Sequence, residues 1–269
     1  MNDRFAFAKL VDTLSPWIHQ FVFVGGWAHR LYRLHPSADI PAYQPLATLD
    51  ADVAFAEREK LEGNIKARLQ EAGFHEQLTG NHRPPVSQYV LGEDAPTGFY
   101  AEFLTPLIGR ATDREGRPIA TLGLAGITAQ RLRYLELLLN APWRVTMGED
   151  WGTSSPLTLS IPNPVSFIVQ KLLIHDDRAR DKKAQDILYI HDTLELFAAD
   201  MDRLSAIWRD EVRVAMHDNW VQNLLRAMDD VFGQTNDRIR DAAAIPQGRE
   251  IDPGRMRAMC HAVLKEVLA

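Results

Sequence analysis

Thr48-Leu49-Asp50-Ala51-Asp52-Val53-Ala54-Phe55 is the stretch on which the reading of this chain turns. Successive side chains of an extended strand point to opposite faces, so Asp50 and Asp52 share one face while Leu49, Ala51, Val53 and Phe55 share the other. The apolar side anchors the strand against a core. The two carboxylates then project about 7 Å apart at the backbone, close enough for their oxygens to converge on a shared hard cation such as Mg²⁺. Acid-x-acid spacing recurs at Glu57/Glu59, Asp113/Glu115, Asp200/Asp202 and Glu250/Asp252. Those pairs lack the strand context and read as solvated surface positions.

Upstream, the aromatic and β-branched run Phe21-Val22-Phe23-Val24 reads as a buried strand stopped by Gly25-Gly26, with a helix from Trp27 to Leu34. Glycines let another group approach the backbone, and N–H groups at a helix start can meet a phosphate; the same pair also serves as a plain tight turn. Phe7, Leu10, Val11, Leu14, Trp17 and Ile18 place one apolar face on an opening helix over Phe5 to Gln20, and Pro16 can disturb its last turn. Pro36, Pro41 and Pro45 mark residues 35–47 as a loop.

Downstream, Glu57 to Ala72 predicts a crossover helix ended by Gly73, and Val86 to Leu91 and Phe99 to Leu104 predict two strands joined by a turn. Ile119 to Leu124, Trp143 to Met147 and Leu157 to Ile161 predict further strands, and Leu132 to Leu139 fits helix or strand equally. Glu102 interrupts an otherwise apolar strand. An unpaired buried carboxylate is costly, so Glu102 needs a cation, a metal or the surface, and an edge position facing water satisfies it as well.

At Asn163-Pro164 the pattern changes, with an N-cap residue followed by proline at the first helical position. Val165 to His175, Lys182 to Ala199, Leu204 to Met216, Trp220 to Phe232 and Gly254 to Leu268 all carry apolar faces at helical spacing. The expectation is an α+β chain, with a mixed-sheet core over residues 1–161 and a helical domain over 162–269. There is no internal repeat and no low-complexity tract.

Composition narrows the function classes. The 269 residues are 46% hydrophobic and 25% charged, with a net charge of −6, the profile of an ordinary globular protein without a global field for duplex DNA or an anionic membrane. A single cysteine, Cys260, excludes an internal disulfide. No apolar run reaches the roughly 18 to 20 residues of a membrane span, and Met1-Asn2-Asp3-Arg4 does not open like a signal peptide, so a cytoplasmic protein with no membrane partner is expected. The P-loop, the dinucleotide glycine fingerprint, His-Glu-x-x-His and the Gly-x-Ser-x-Gly elbow are all missing from the sequence.

The order strand, Gly-Gly, helix, Asp-x-Asp strand, helix, acid-bearing strand resembles the nucleotidyltransferase superfamily, the polymerase-β-like group, and within it a bacterial branch related to AbiEii-type toxin nucleotidyltransferases. Phe23-Val24-Gly25-Gly26-Trp27-Ala28 matches that family's glycine turn, Thr48 to Asp52 its Asp-x-Asp strand and Ala101-Glu102-Phe103-Leu104 its third-carboxylate strand. Lys171, Arg178, Lys182, Lys183 and Asp186 resemble its later Lys…Arg…Lys-x-x-Asp signature.

The resemblance implies metal-dependent transfer of a nucleoside monophosphate from an NTP. Asp50, Asp52 and Glu102 would hold Mg²⁺ or Mn²⁺, and Gly25 and Gly26 would cradle the triphosphate. Lys171, Arg178 and Lys183 would reach the triphosphate or an anionic acceptor, with Asp186 orienting one of them. The acceptor implied is RNA, including tRNA, a protein or a small molecule, and a toxin-like member would have an antitoxin protein as partner.

Two features depart from the family pattern. The Gly26-to-Asp50 gap is long and carries three prolines, which would displace the glycine turn or cover the pocket, and glutamate stands at 102 where aspartate is commoner. The basic segment also fits a solvated turn between helices. Rival functions are a non-catalytic nucleotide or partner binder and a sugar-nucleotide glycosyltransferase, for which the roughly fifty residues before the motif are few.

Overall fold

The computed structural model describes residues 3–56, 60–79, 85–92, 98–119 and 125–269. The chain divides into two compact units, Met1–Leu34 with Ala47–Pro162, and His35–Leu46 with Asn163–Ala269. A mixed sheet builds the first and helices the second, as expected of an α+β chain.

In the first unit, Phe7, Leu10, Val11 and Leu14 are buried along one side of α1 (Asp3–Leu14). The helix expected to run on to Gln20 gives way to a 3₁₀ turn over Ser15–Gln20, with Pro16 in its first turn, because proline cannot donate the next α-helical hydrogen bond. Then β1 (Val22–Val24) runs straight into α2 (Gly25–Leu31). After the loop come β2 (Asp50–Ala54), α3 (Ile65–Glu71), β3 (Phe74–Thr79), β4 (Val86–Leu91) and β5 (Phe99–Pro106). The unit ends with β6 (Gln130–Leu132), α4 (Leu135–Leu139), β7 (Trp143–Met147) and β8 (Leu157–Ile161).

The helix expected over Glu57 to Ala72 is shorter on its described residues. Gly63 has a φ of +89°, a left-handed conformation that an α-helix does not contain, and the Asn64 side chain accepts from Ala67 N at 2.9 Å, fixing the helix start at Ile65. The run Leu132 to Leu139 resolves into the end of β6 and α4. The strand expected at Ile119 to Leu124 lies almost wholly outside the described residues.

Among the described residues the strands pair in the order β3-β4-β5-β2-β1-β8-β7, with β6 on the end of β5. The β1/β8, β2/β5 and β5/β6 pairs are parallel and the others antiparallel. Phe23, Val53 and Phe103 lie in one register row and are fully buried. Phe7 of α1 meets Phe23 edge-on at 5.4 Å and stacks on Trp27 of α2 at 3.8 Å, sealing that face of the sheet.

The opposite face is divided along its length. At one end Val22, Val24, Ala54 and Leu104 pack under Leu135 and Leu138 of α4. At the other end, in the same rows or the next, the side chains are Asp50, Asp52, Tyr100, Glu102 and Gln88, all half-buried. The apolar end fixes the strand register, and the register then fixes where the polar residues stand.

The second unit consists of α5 (Pro164–Ile174), α6 (Arg180–Leu196), α7 (Met201–Ile207), α8 (Asp218–Phe232), α9 (Asp237–Ala244) and α10 (Pro253–Val267). Asn163 caps α5 by accepting from Ser166 N at 2.8 Å, and α6 packs against α5, α9 and α10. No helix among the described residues is long and apolar enough to cross a membrane.

Candidate active site

Alternation along β2 puts Ala51 and Val53 into the core, both fully buried, and leaves Asp50 and Asp52 on the half-open face. Leu49, expected on the apolar side, is 42% exposed because it precedes the strand. Register adds the third carboxylate, since β2 and β5 run parallel with Asp52 opposite Glu102 and Asp50 opposite Tyr100. Directly paired residues on neighbouring strands share a face at about 5 Å, so the three acids form one patch.

Asp50 and Glu102 are oriented by hydrogen-bond donors beside them. The Thr48 hydroxyl donates to Asp50 Oδ1, and the Gln88 amide, opposite Glu102 on β4, donates to Glu102 Oε1. Burial pushes the Tyr100 hydroxyl well above the usual tyrosine range, and the charges of Asp50, Glu102 and Asp52 push it further. All three acids therefore act on one hydroxyl, which stays protonated. Gln88 and Tyr100 are the site residues that the sequence reading passed over. Tyr100 carried a usable signal, standing two residues before Glu102 and so on its face.

The glycine turn lies against the acids despite the long gap. Antiparallel pairing of β1 with β2 sets Val24 opposite Asp52, so Gly25 is the next residue along. A Cβ at Gly25 would collide with the Asp52 carboxylate oxygen and stand 3.1 Å from Asp52 Cγ, and the Gly25 φ of +62° favours glycine. Gly26 follows, buried in the first turn of α2. Replacing Gly25 by alanine costs about 1–2 kcal/mol in left-handed strain and displaces Asp52. The expected outcome is a small fall in Tm with a fall of about 10²-fold in any chemistry that depends on Asp52, read by thermal unfolding beside activity.

The later basic residues lie in the helical unit. Asp186, 1% exposed, accepts from Lys171 Nζ and from Arg178 Nε at 3.1 Å. The Lys171 ammonium sits 4.8 Å from the ring centres of both Phe167 and Tyr189. Lys183 is half-buried and places its charge near His175, a buried residue whose Nε2 lies 3.1 Å from Arg238 Nη1. Arginine can only donate, so this imidazole is neutral.

Burial, then the charges of Arg238 and Lys183, pull the His175 pKa down to about 4, with Asp176 and Asp186 opposing in part. In the unfolded chain histidine titrates near 6.5, so between about pH 6.5 and 4 the unfolded state takes up a proton that the folded state refuses. Stability is therefore lost as pH falls through that window. Tm measured from pH 7 down to pH 4 should fall less steeply in His175→Gln, which keeps an acceptor for Arg238.

All-oxygen donors on one face are a fitting set for a hard divalent cation, and the absent side chain of Gly25 makes room for one of those carboxylates. A search of the curated proteins returns no match. A family model described as a nucleotidyltransferase matches residues 2–213, which takes in the glycine turn, the three acids and the Lys171–Asp186 cluster. The chain belongs to this nucleotidyltransferase family.

Proposed function

We propose that this chain is a metal-dependent enzyme that transfers a nucleoside monophosphate from an NTP to an acceptor hydroxyl, releasing pyrophosphate. The observation that carries the reading is the register row that sets Asp52 between Val24 and Glu102, with Gly25 against the Asp52 carboxylate and Asp50 on the same face. Asp50, Asp52 and Glu102 hold Mg²⁺ or Mn²⁺ in this reading, and the cation supplies charge neutralisation at the phosphates and a lowered pKa at the attacking hydroxyl. Thr48 and Gln88 hold two of the carboxylates in place, and the protonated Tyr100 keeps an O–H to donate. Gly25 and Gly26 let the triphosphate approach the backbone. Within the helical unit, Arg178 and Lys183, more open than Lys171, are the cations assigned to an anionic group of substrate or acceptor.

The acceptor is an RNA, including a tRNA end, a protein or a small molecule. Likeness to toxin nucleotidyltransferases adds a toxic activity and an antitoxin partner to the reading. Each α-³²P NTP, with Mg²⁺ or Mn²⁺, is incubated with total bacterial RNA and protein. Label in one fraction supports the reading and names the base and acceptor class. Absence of label with metal-dependent nucleotide binding intact points to a small-molecule acceptor or a non-catalytic binder, and loss of binding as well rejects the reading.

A further inference from the structure

We propose that His191, Asp192 and Glu195 of α6 form a divalent transition-metal site in the helical unit, closed in this structure by the guanidinium of Arg249. One ligand atom from each residue lies within 4.8 Å of the other two. His191 Nδ1 stands 2.9 Å from Asp192 Oδ1 and 3.7 Å from Glu195 Oε2. His191 and Glu195 are four residues apart and so share a face of the helix.

The socket already attracts a cation. Arg249 Nη2 donates to Asp192 Oδ1 and Nη1 to Glu195 Oε2 at 3.2 Å, while the Tyr43 hydroxyl donates to the same Glu195 oxygen at 2.7 Å. The guanidinium lies 3.4 Å from the centre of the Tyr43 ring. One positive charge against two carboxylates leaves the socket net negative, whereas a divalent ion neutralises it. One imidazole nitrogen with two carboxylate oxygens suits Zn²⁺, Co²⁺ or Mn²⁺ better than the all-oxygen preference of Mg²⁺ or Ca²⁺. Coordination through Nδ1 requires the imidazole to carry its proton on Nε2, a tautomer change and not a net chemical step.

Access and exchange are both built in. His191, Glu195, Arg249 and Tyr43 line a pocket of about 760 Å³ whose walls include Leu194 and Met259. The Glu195 side chain is 40% exposed, and Arg249 lies in the irregular segment between α9 and α10. Its side chain can withdraw without unwinding a helix.

Full-length protein carrying Asp50→Ala/Asp52→Ala, which removes the other acid patch, is titrated with Co²⁺ by visible absorption and equilibrium binding. One ion per chain is expected, weakened at least about tenfold by His191→Ala or by the milder Glu195→Gln. Adding Arg249→Gln leaves Asp192 without its guanidinium, so Tm should fall and Zn²⁺, but not Mg²⁺, should restore most of the loss while Co²⁺ binds more tightly. The proposal is overturned if no Co²⁺ binds in the Asp50→Ala/Asp52→Ala background, if binding ignores His191→Ala and Glu195→Gln alike, or if Arg249→Gln leaves Co²⁺ affinity unchanged. None of these outcomes depends on nucleotidyl transfer, so this site and the acid patch stand or fall separately.

Discussion

Asp52→Asn should lower label transfer from NTP by about 10³-fold or more while the protein unfolds at nearly the same temperature. The change is close to isosteric and removes only charge from a half-buried side chain, so the packing of Ala51 and Val53 behind it is untouched. Asp52 is the central acid of the patch, with Glu102 opposite on β5 and Gly25 beyond Val24 on β1. A neutral amide there weakens metal and triphosphate binding together, and losing one preorganised electrostatic partner of a phosphoryl transfer already costs about 10²–10³. Asp202→Asn is the matched control, because Asp202 belongs to another acid-x-acid pair and is exposed on α7. It should leave transfer unchanged. Full activity in Asp52→Asn would move the chemistry away from this sheet face.

The acid patch was legible because strand alternation is a local property. Thr48 to Phe55 gives the face of Asp50 and Asp52 from spacing alone, and Asn163-Pro164 marks the start of α5 for similarly local reasons. That Glu102 stands opposite Asp52 is not local. It depends on parallel pairing between strands about fifty residues apart, which only the order of motifs hinted at. Loop length misled most. The gap from Gly26 to Asp50 suggested a displaced turn, yet register between β1 and β2 sets that contact, and residues 35–46 group with the second unit. Closing a longer loop costs only about 0.6 kcal/mol per doubling, so strand pairing easily outweighs it.

Missed elements have equally concrete causes. β3 is an edge strand whose His75, Gln77 and Leu78 are exposed, so Phe74 to Thr79 lacks the apolar alternation that reveals a half-buried strand. α9 is short and polar, with Ile239, Ala242 and Ala243 buried, and its clearest signal was the cap, where Asn236 accepts from Ile239 N at 3.1 Å. The burial of Lys171 was also out of reach. An apolar helix bearing one lysine reads equally as a side chain reaching outward or one held inside, and the buried Asp186 decides between them.

Asp186→Ala should be the most destabilising single change in the helical unit. It removes the acceptor for both Lys171 and Arg178 from a site where Asp186 is 1% and the Lys171 side chain 6% exposed. The two residues then behave differently. The Arg178 side chain is 38% exposed and can turn to water, but Lys171 is enclosed by Phe167 and Tyr189 and keeps an ammonium with no countercharge. Breaking a buried pair from one side costs about 3–5 kcal/mol, because the remaining charge is left desolvated. For a chain of this size that corresponds to a fall in Tm on the order of 10 °C. Removing both charges is a different experiment, since apolar side chains of similar volume often replace a buried pair at little cost. Lys171→Met/Asp186→Leu should therefore recover most of the Tm lost in Asp186→Ala. Measured beside thermal unfolding, NTP affinity separates the two roles of Lys171. If Lys171 serves only the core, the double variant binds nucleotide like the unaltered protein; if it serves the triphosphate as well, affinity stays low although stability returns.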